Sequence, residues 1–95
     1  MQESLCYGIG FLESLYEYEN GYAATIRTAT SKLIPFVIFK DMPRLDEFLI
    51  QGKLLGFRCA FMNIDGELKV VASRLVSEGM DTGKEYSDRF DEENN

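Results

Sequence analysis

A chain of ninety-five residues can build one modest core and not two, and its 45% hydrophobic and 13% aromatic content places it with globular domains rather than disordered segments. It contains no histidine, and so lacks the commonest metal ligand and the commonest general base near neutral pH. The net charge of −6 opposes phosphate binding over the chain as a whole, yet residues 1–76 carry eight Lys/Arg against nine Asp/Glu, whereas residues 77–95 carry two against seven.

Residues 7–18 mix β-formers with Gly8 and Gly10, which weaken a helix but let a strand bend, and read as a long, coiled first strand. Glu19-Asn20-Gly21 makes a turn, and residues 22–30 return as a β-branched second strand, so the two form a hairpin. After the short Ser31-Lys32 connection, Leu33–Phe39 reads as a third strand with Pro35 near its start. Asp41 is placed to cap a helix with Pro43 in its first turn and Leu45, Phe48 and Leu49 on one face, ended by Gly52 as a left-handed cap. Residues 53–62 form the fourth strand, with Leu55, Phe57, Cys59 and Phe61 on its apolar face; Asp65-Gly66 marks a hairpin turn, and residues 68–76 return as the fifth.

The order β-β-β-α-β-β is that of a mainly β OB-fold, a five-stranded Greek-key barrel with one helix between strands three and four. The expected division is a barrel over residues 1–78 and an acidic, disordered tail over 79–95. Cys6 and Cys59 lack metal-site spacing and are expected as small buried apolar residues rather than a disulfide. The longest apolar run, Leu33–Phe39, is far short of the roughly 20 residues of a membrane span. The acidic start lacks a secretory pattern, which makes the cytoplasm the expected compartment and excludes a membrane partner.

Several segments together resemble the bacterial single-stranded DNA-binding protein family. Gly10-Phe11-Leu12, Gly21 and Arg27-Thr28-Ala29-Thr30-Ser31 are similar to its first two strands and the Leu-Ala-Thr-Ser segment that follows. Phe36-Val37-Ile38-Phe39-Lys40 resembles its Val-Val-Leu-Phe-Gly, Leu49-Ile50-Gln51-Gly52 its Leu-Arg-Lys-Gly, and Val71-Ala72 its last barrel strand. Residues 8–76 thus look like a reduced member with the loop between strands two and three cut away, as in primosomal or mobile-element relatives. The resemblance implies sequence-tolerant binding of single-stranded DNA in replication, recombination or DNA transfer. Without tryptophan, stacking falls to Phe and Tyr. The terminal Glu92-Glu93-Asn94-Asn95 replaces the family's partner-recruiting Pro-Phe tip.

Single-strand binding uses aromatic faces for bases beside cations for phosphates. The resemblance sets Phe39 where the family has a base-stacking Phe; core packing is its alternative. Tyr16 and Tyr22 flank the first hairpin, where an OB-fold presents a ligand loop, and a cross-strand pair that merely stabilises the hairpin is the alternative. Arg27, Lys32, Lys40, Arg58 and Arg74 are the candidate phosphate contacts; any one of them alone reads first as solvated surface, and a cluster on one barrel face would mean more. Glu13, Glu17 and Glu19 oppose phosphate locally.

Neither Asp46-Glu47 nor Asp91-Glu92-Glu93 has the scaffold that catalytic geometry needs, and no nucleotide-loop, nucleophile-elbow or zinc-protease motif occurs. The expectation is therefore a binding protein that is not an enzyme, with no cofactor and no metal. Single-stranded DNA or RNA is the expected ligand, a second copy the expected partner in a homodimer, and replication or transfer proteins further partners. The other reading is an OB-fold adaptor or inhibitor that binds protein and no nucleic acid. The acidic tail is either a solubilising extension or an anion that competes with DNA for the barrel.

Overall fold

A computed structural model describes residues 5–82 and Tyr86. The strands are β1 (Leu5–Tyr18), β2 (Gly21–Arg27), β3 (Leu33–Phe39), β4 (Leu54–Ile64), β5 (Glu67–Ser77) and the two-residue β6 (Met80–Asp81), with one helical turn, α1 (Leu45–Phe48), between β3 and β4. Antiparallel neighbours run β3-β2-β1-β4-β5-β6, and a parallel contact of Val37 with Val71 joins β3 to β5. The first five strands therefore close on themselves, which is the OB-type Greek-key barrel.

β1 serves two neighbours. Up to Phe11 it pairs with β4, and from Phe11 onward with β2. A bulge at Glu13, between Leu12 and Ser14 of the β2 register, makes the change of direction. The segment before β4 fills in here: Gly52 N donates to Leu12 O at 2.8 Å, Leu12 N donates to Lys53 O at 2.9 Å, and the Gln51 amide donates to Glu13 O at 3.0 Å. Gly10 stands at the crossing because a Cβ there would lie 2.6 Å from the Arg27 carbonyl oxygen.

Alternation along the strands fills the barrel with Leu12, Ile26, Ile38, Leu55 and Leu75, all fully buried, while Phe48 of α1 enters the same core. Phe36 and Phe57 stack inside with ring centroids 4.8 Å apart and planes 2° from parallel. Each such side chain contributes about 1.5–3 kcal/mol of transfer free energy.

Three expectations are corrected. The helix is a single turn, with left-handed Arg44 (φ 64°) at its N-cap, and it ends at Leu49 rather than at Gly52. Asp41 does not cap it, since its carboxylate accepts the Tyr86 hydroxyl at 2.7 Å. Gly52 is left-handed (φ 86°), but in the turn that leads into β4. Cys59 is disulfide-bonded, and Cys6 stands opposite it in the β1–β4 register. The barrel also extends past residue 78, because β6 pairs with β5, Thr82 hydrogen-bonds Leu75 and Tyr86 packs into the core. Otherwise the expected tail, residues 83–85 and 87–95, lies outside the described residues.

Candidate nucleic-acid interface

On the outer face of β1, β2 and β3 the register stacks three rows: Phe11/Arg27/Leu33, then Ser14/Thr25/Pro35, then Tyr16/Ala23/Val37. The same alternation that buries Leu12, Ala24, Ile26, Phe36 and Ile38 sends these side chains outward. Arg27 and Ala23 are four residues apart, so the first and third rows lie about 13 Å apart. Tyr16 is 69% exposed beside the small Ala23, and Phe11 and Leu33 are about half exposed on either side of Arg27. The result is a shallow floor along β2 with an aromatic ring near each end. The hairpin turns are minimal, Glu19-Asn20 between β1 and β2 and Asp65-Gly66 between β4 and β5, so among the described residues neither of these two turns walls the floor.

Much of the positive charge is already engaged. The Arg27 guanidinium donates to both carboxylate oxygens of Glu13, which shares the outward parity of Phe11, at 2.9 and 2.7 Å. This bond holds the Glu13 carboxyl below the usual carboxylate range and raises Arg27. Lys40 donates to Glu17 at 2.9 Å, which raises its pKa, and sits 5.8 Å from the Tyr22 ring centre. Two of the three carboxylates that oppose phosphate in the sequence, Glu13 and Glu17, are therefore the counterions of candidate cations.

The structure brings Tyr16 and Arg27 together on this face, with Lys32 beside it in the β2–β3 turn. Phe39 also points outward, opposite Gly21, but is half-buried and packs against the core. Tyr22 pairs with Ile38 on the inward side. With Lys40, Met42, Leu45 and Leu49 it lines a cleft of about 590 Å³ at the end of the barrel plugged by α1. Arg58 and Arg74 lie directly opposite each other on β4 and β5, in one row with Tyr7 and away from Arg27. Arg74 is bound to Asp81 of β6 at 2.9 and 2.6 Å. The eight candidates thus divide among the β2–β3 face, the barrel end and the β4–β5 side.

Sequence reasoning missed Phe11 and Leu33, although their outward parity follows from Leu12 and Ile34 pointing in. Among the described residues, no group of three or more His, Cys, Asp or Glu is gathered to hold a metal ion, and no helix is long and apolar enough to cross a membrane.

The sequence matches no protein-family model, and no curated protein matches it. Among solved structures the chain is similar to one from the S. pombe Stn1–Ten1 complex, with a TM-score of 0.62 and 11% sequence identity over 93% of this chain. It spans 66% of that chain's length. At this identity the likeness is one of fold, and with the strand order it identifies the domain as a mainly β, OB-type barrel.

Proposed function

We propose that the protein binds single-stranded nucleic acid, DNA in the first instance, across the outer face of β1, β2 and β3, and that it is not an enzyme. The observation that carries this reading is the exposed Tyr16 ring above the small Ala23, with Phe11, Arg27 and Leu33 about 13 Å along the same face. OB-folds engage oligonucleotides through strands two and three, and bases stack on exposed rings without regard to sequence. Because Glu13 and Glu17 already hold Arg27 and Lys40, a phosphate replaces one anion by another. Stacking therefore supplies more of the affinity than counterion release does, and the salt dependence is shallow. The finer form of the proposal is a reduced relative of the bacterial single-stranded DNA-binding proteins that works in replication, recombination or DNA transfer.

The test is a titration of a fluorescein-labelled 30-mer of thymidylate at low and high salt. Saturable binding with a salt slope shallower than about −2 supports the proposal, since counterion release by four phosphate contacts would give about −3. Absence of binding at low salt overturns it in favour of the adaptor reading. That second reading has its own observation, the exposed apolar side of β1, β4 and β5.

A further inference from the structure

The three outward rows of β1, β2 and β3 differ in kind. The end rows each carry one exposed ring, Phe11 or Tyr16, whereas the middle row, Ser14/Thr25/Pro35, carries no aromatic side chain. Ser14 and Pro35 are exposed, and Thr25 is half-buried between them. Ser14 and Thr25 stand directly opposite each other, which sets their Cβ atoms about 5 Å apart and lets both hydroxyls reach one small group above them. Other hydroxyls of the chain are committed to the protein: Thr28 and Thr30 to each other at 3.2 Å, Ser73 to the Arg58 carbonyl at 3.2 Å, and Ser77 to the Leu54 carbonyl at 3.0 Å. The Ser14 and Thr25 hydroxyls have no hydrogen-bond partner among the described residues.

The spacing of the rows decides what lies over those hydroxyls. Adjacent rows are two residues of β2 apart, about 6.7 Å. Stacked bases rise about 3.4 Å each, and a base that leaves its neighbour to lie on a protein ring needs roughly one further ring thickness, which draws the strand out to about 7 Å per nucleotide. One nucleotide per row is the register that fits. The rings of the end rows then take the first and third of three successive bases, and the second lies over Ser14 and Thr25.

We infer, on the reading that this face binds a single strand, that it engages bases in alternation: Phe11 and Tyr16 stack the outer two of three successive bases, and the Ser14 and Thr25 hydroxyls hold the edge of the middle one by hydrogen bonds. A hydroxyl both donates and accepts, so the pair meets the edge of any base and tolerance of sequence is kept. The Pro35 side chain in the same row has no hydrogen-bonding group, which leaves the two hydroxyls to make that contact.

The experiment measures binding of the full chain to three labelled 30-mers: all-thymidylate, one with an abasic residue at every second position, and one in which two abasic residues follow each thymidylate. The alternating strand can seat a base on both rings at once, and the last strand never can. The alternating strand should therefore bind at least about fivefold tighter than the last, the effect of one stacking contact, where base content alone would give roughly 1.5-fold. The double variant Ser14→Ala, Thr25→Val should weaken all-thymidylate binding about fivefold, as a net hydrogen bond is lost. It should change binding of the alternating strand by less than about twofold, because that strand has no base over the missing hydroxyls. Melting curves show whether the variant is folded, and the comparison of the three strands needs no variant. Equal affinity for the two abasic strands, a folded double variant that binds all-thymidylate as the wild type does, or one that loses as much on the alternating strand overturns the alternation and leaves the single-strand reading standing. Failure of all-thymidylate to bind at low salt overturns that reading and the alternation with it.

Discussion

Replacing Tyr16 with alanine removes a ring that is 69% exposed and opposite only Ala23 on its face of β2. So little buried surface is lost that stability should stay within about 0.5 kcal/mol of wild type, a melting shift below roughly 4 °C for a chain of this size. A base stacked on that ring contributes about 1–3 kcal/mol, so its removal should raise Kd by about 5- to 150-fold. The phenol is uncharged, and the slope of log K against log salt should not change. Fluorescence anisotropy with a labelled 30-mer at two salt concentrations measures both quantities. Leu68→Ala, an equally exposed change far along β5, serves as the control. Binding by Tyr16→Ala within twofold of wild type would refute the stacking argument for this face. Phe39→Ala cannot serve, because the half-buried ring also packs on the core and its removal mixes affinity with stability.

Three further outcomes follow from the structure. Glu13→Gln should release the Arg27 fork, tighten binding and steepen the salt slope by about 0.7 in the same titration, as one phosphate contact is gained; an unchanged slope argues against Arg27 as that contact. The folded-state pKa values of Glu13 and Glu47 lie below the ordinary 4.5, held there by Arg27 and Arg44. Their stabilisation is therefore complete above that pH and is lost as acid carries the solution down through the lower folded values. Melting curves should show a fall in Tm beginning near pH 4.5 that is smaller in Glu13→Gln. Gly21→Ala should destabilise by about 2 kcal/mol, or roughly 8–16 °C in Tm, because the added Cβ meets the Ile38 carbonyl oxygen, which is backbone and cannot turn aside. A normal melting temperature for that variant would mean that β2 and β3 can separate there without cost.

The strands were legible because their signal is local. Alternation and the Asn20-Gly21 and Asp65-Gly66 turns set β3, β4 and β5 to within two residues and β2 to within three. The helix was not, because periodicity at Leu45, Phe48 and Leu49 records which side chains reach the core and not how many backbone turns deliver them. One turn with left-handed Arg44 at its start suffices. The two-residue β6 and the seat of Tyr86 against Asp41 carry no period at all. For the interface, parity correctly sent Arg27 outward, since Ile26 points in. Parity cannot say on which side of a closed barrel an outward residue lies. Arg58 and Arg74 share Arg27's outwardness yet occupy other strands of the circle, and only the strand order shows it. The outward placement of Tyr16 depends on a one-residue bulge at Glu13, since unbroken alternation from Leu12 would have turned Tyr16 inward.

The two-residue turn between β1 and β2, and its counterpart between β4 and β5, also bear on how a ligand leaves. Where long loops fold over a bound strand, release waits for them to open, and residence is set by that motion. Among the described residues no long connection reaches over the floor along β2, so on the binding mode proposed above each nucleotide would lift off singly as soon as its own stacking contact broke. A strand bound in that way would be entered at internal positions without a free end, re-registered by small steps, and taken over by a competing protein one base at a time.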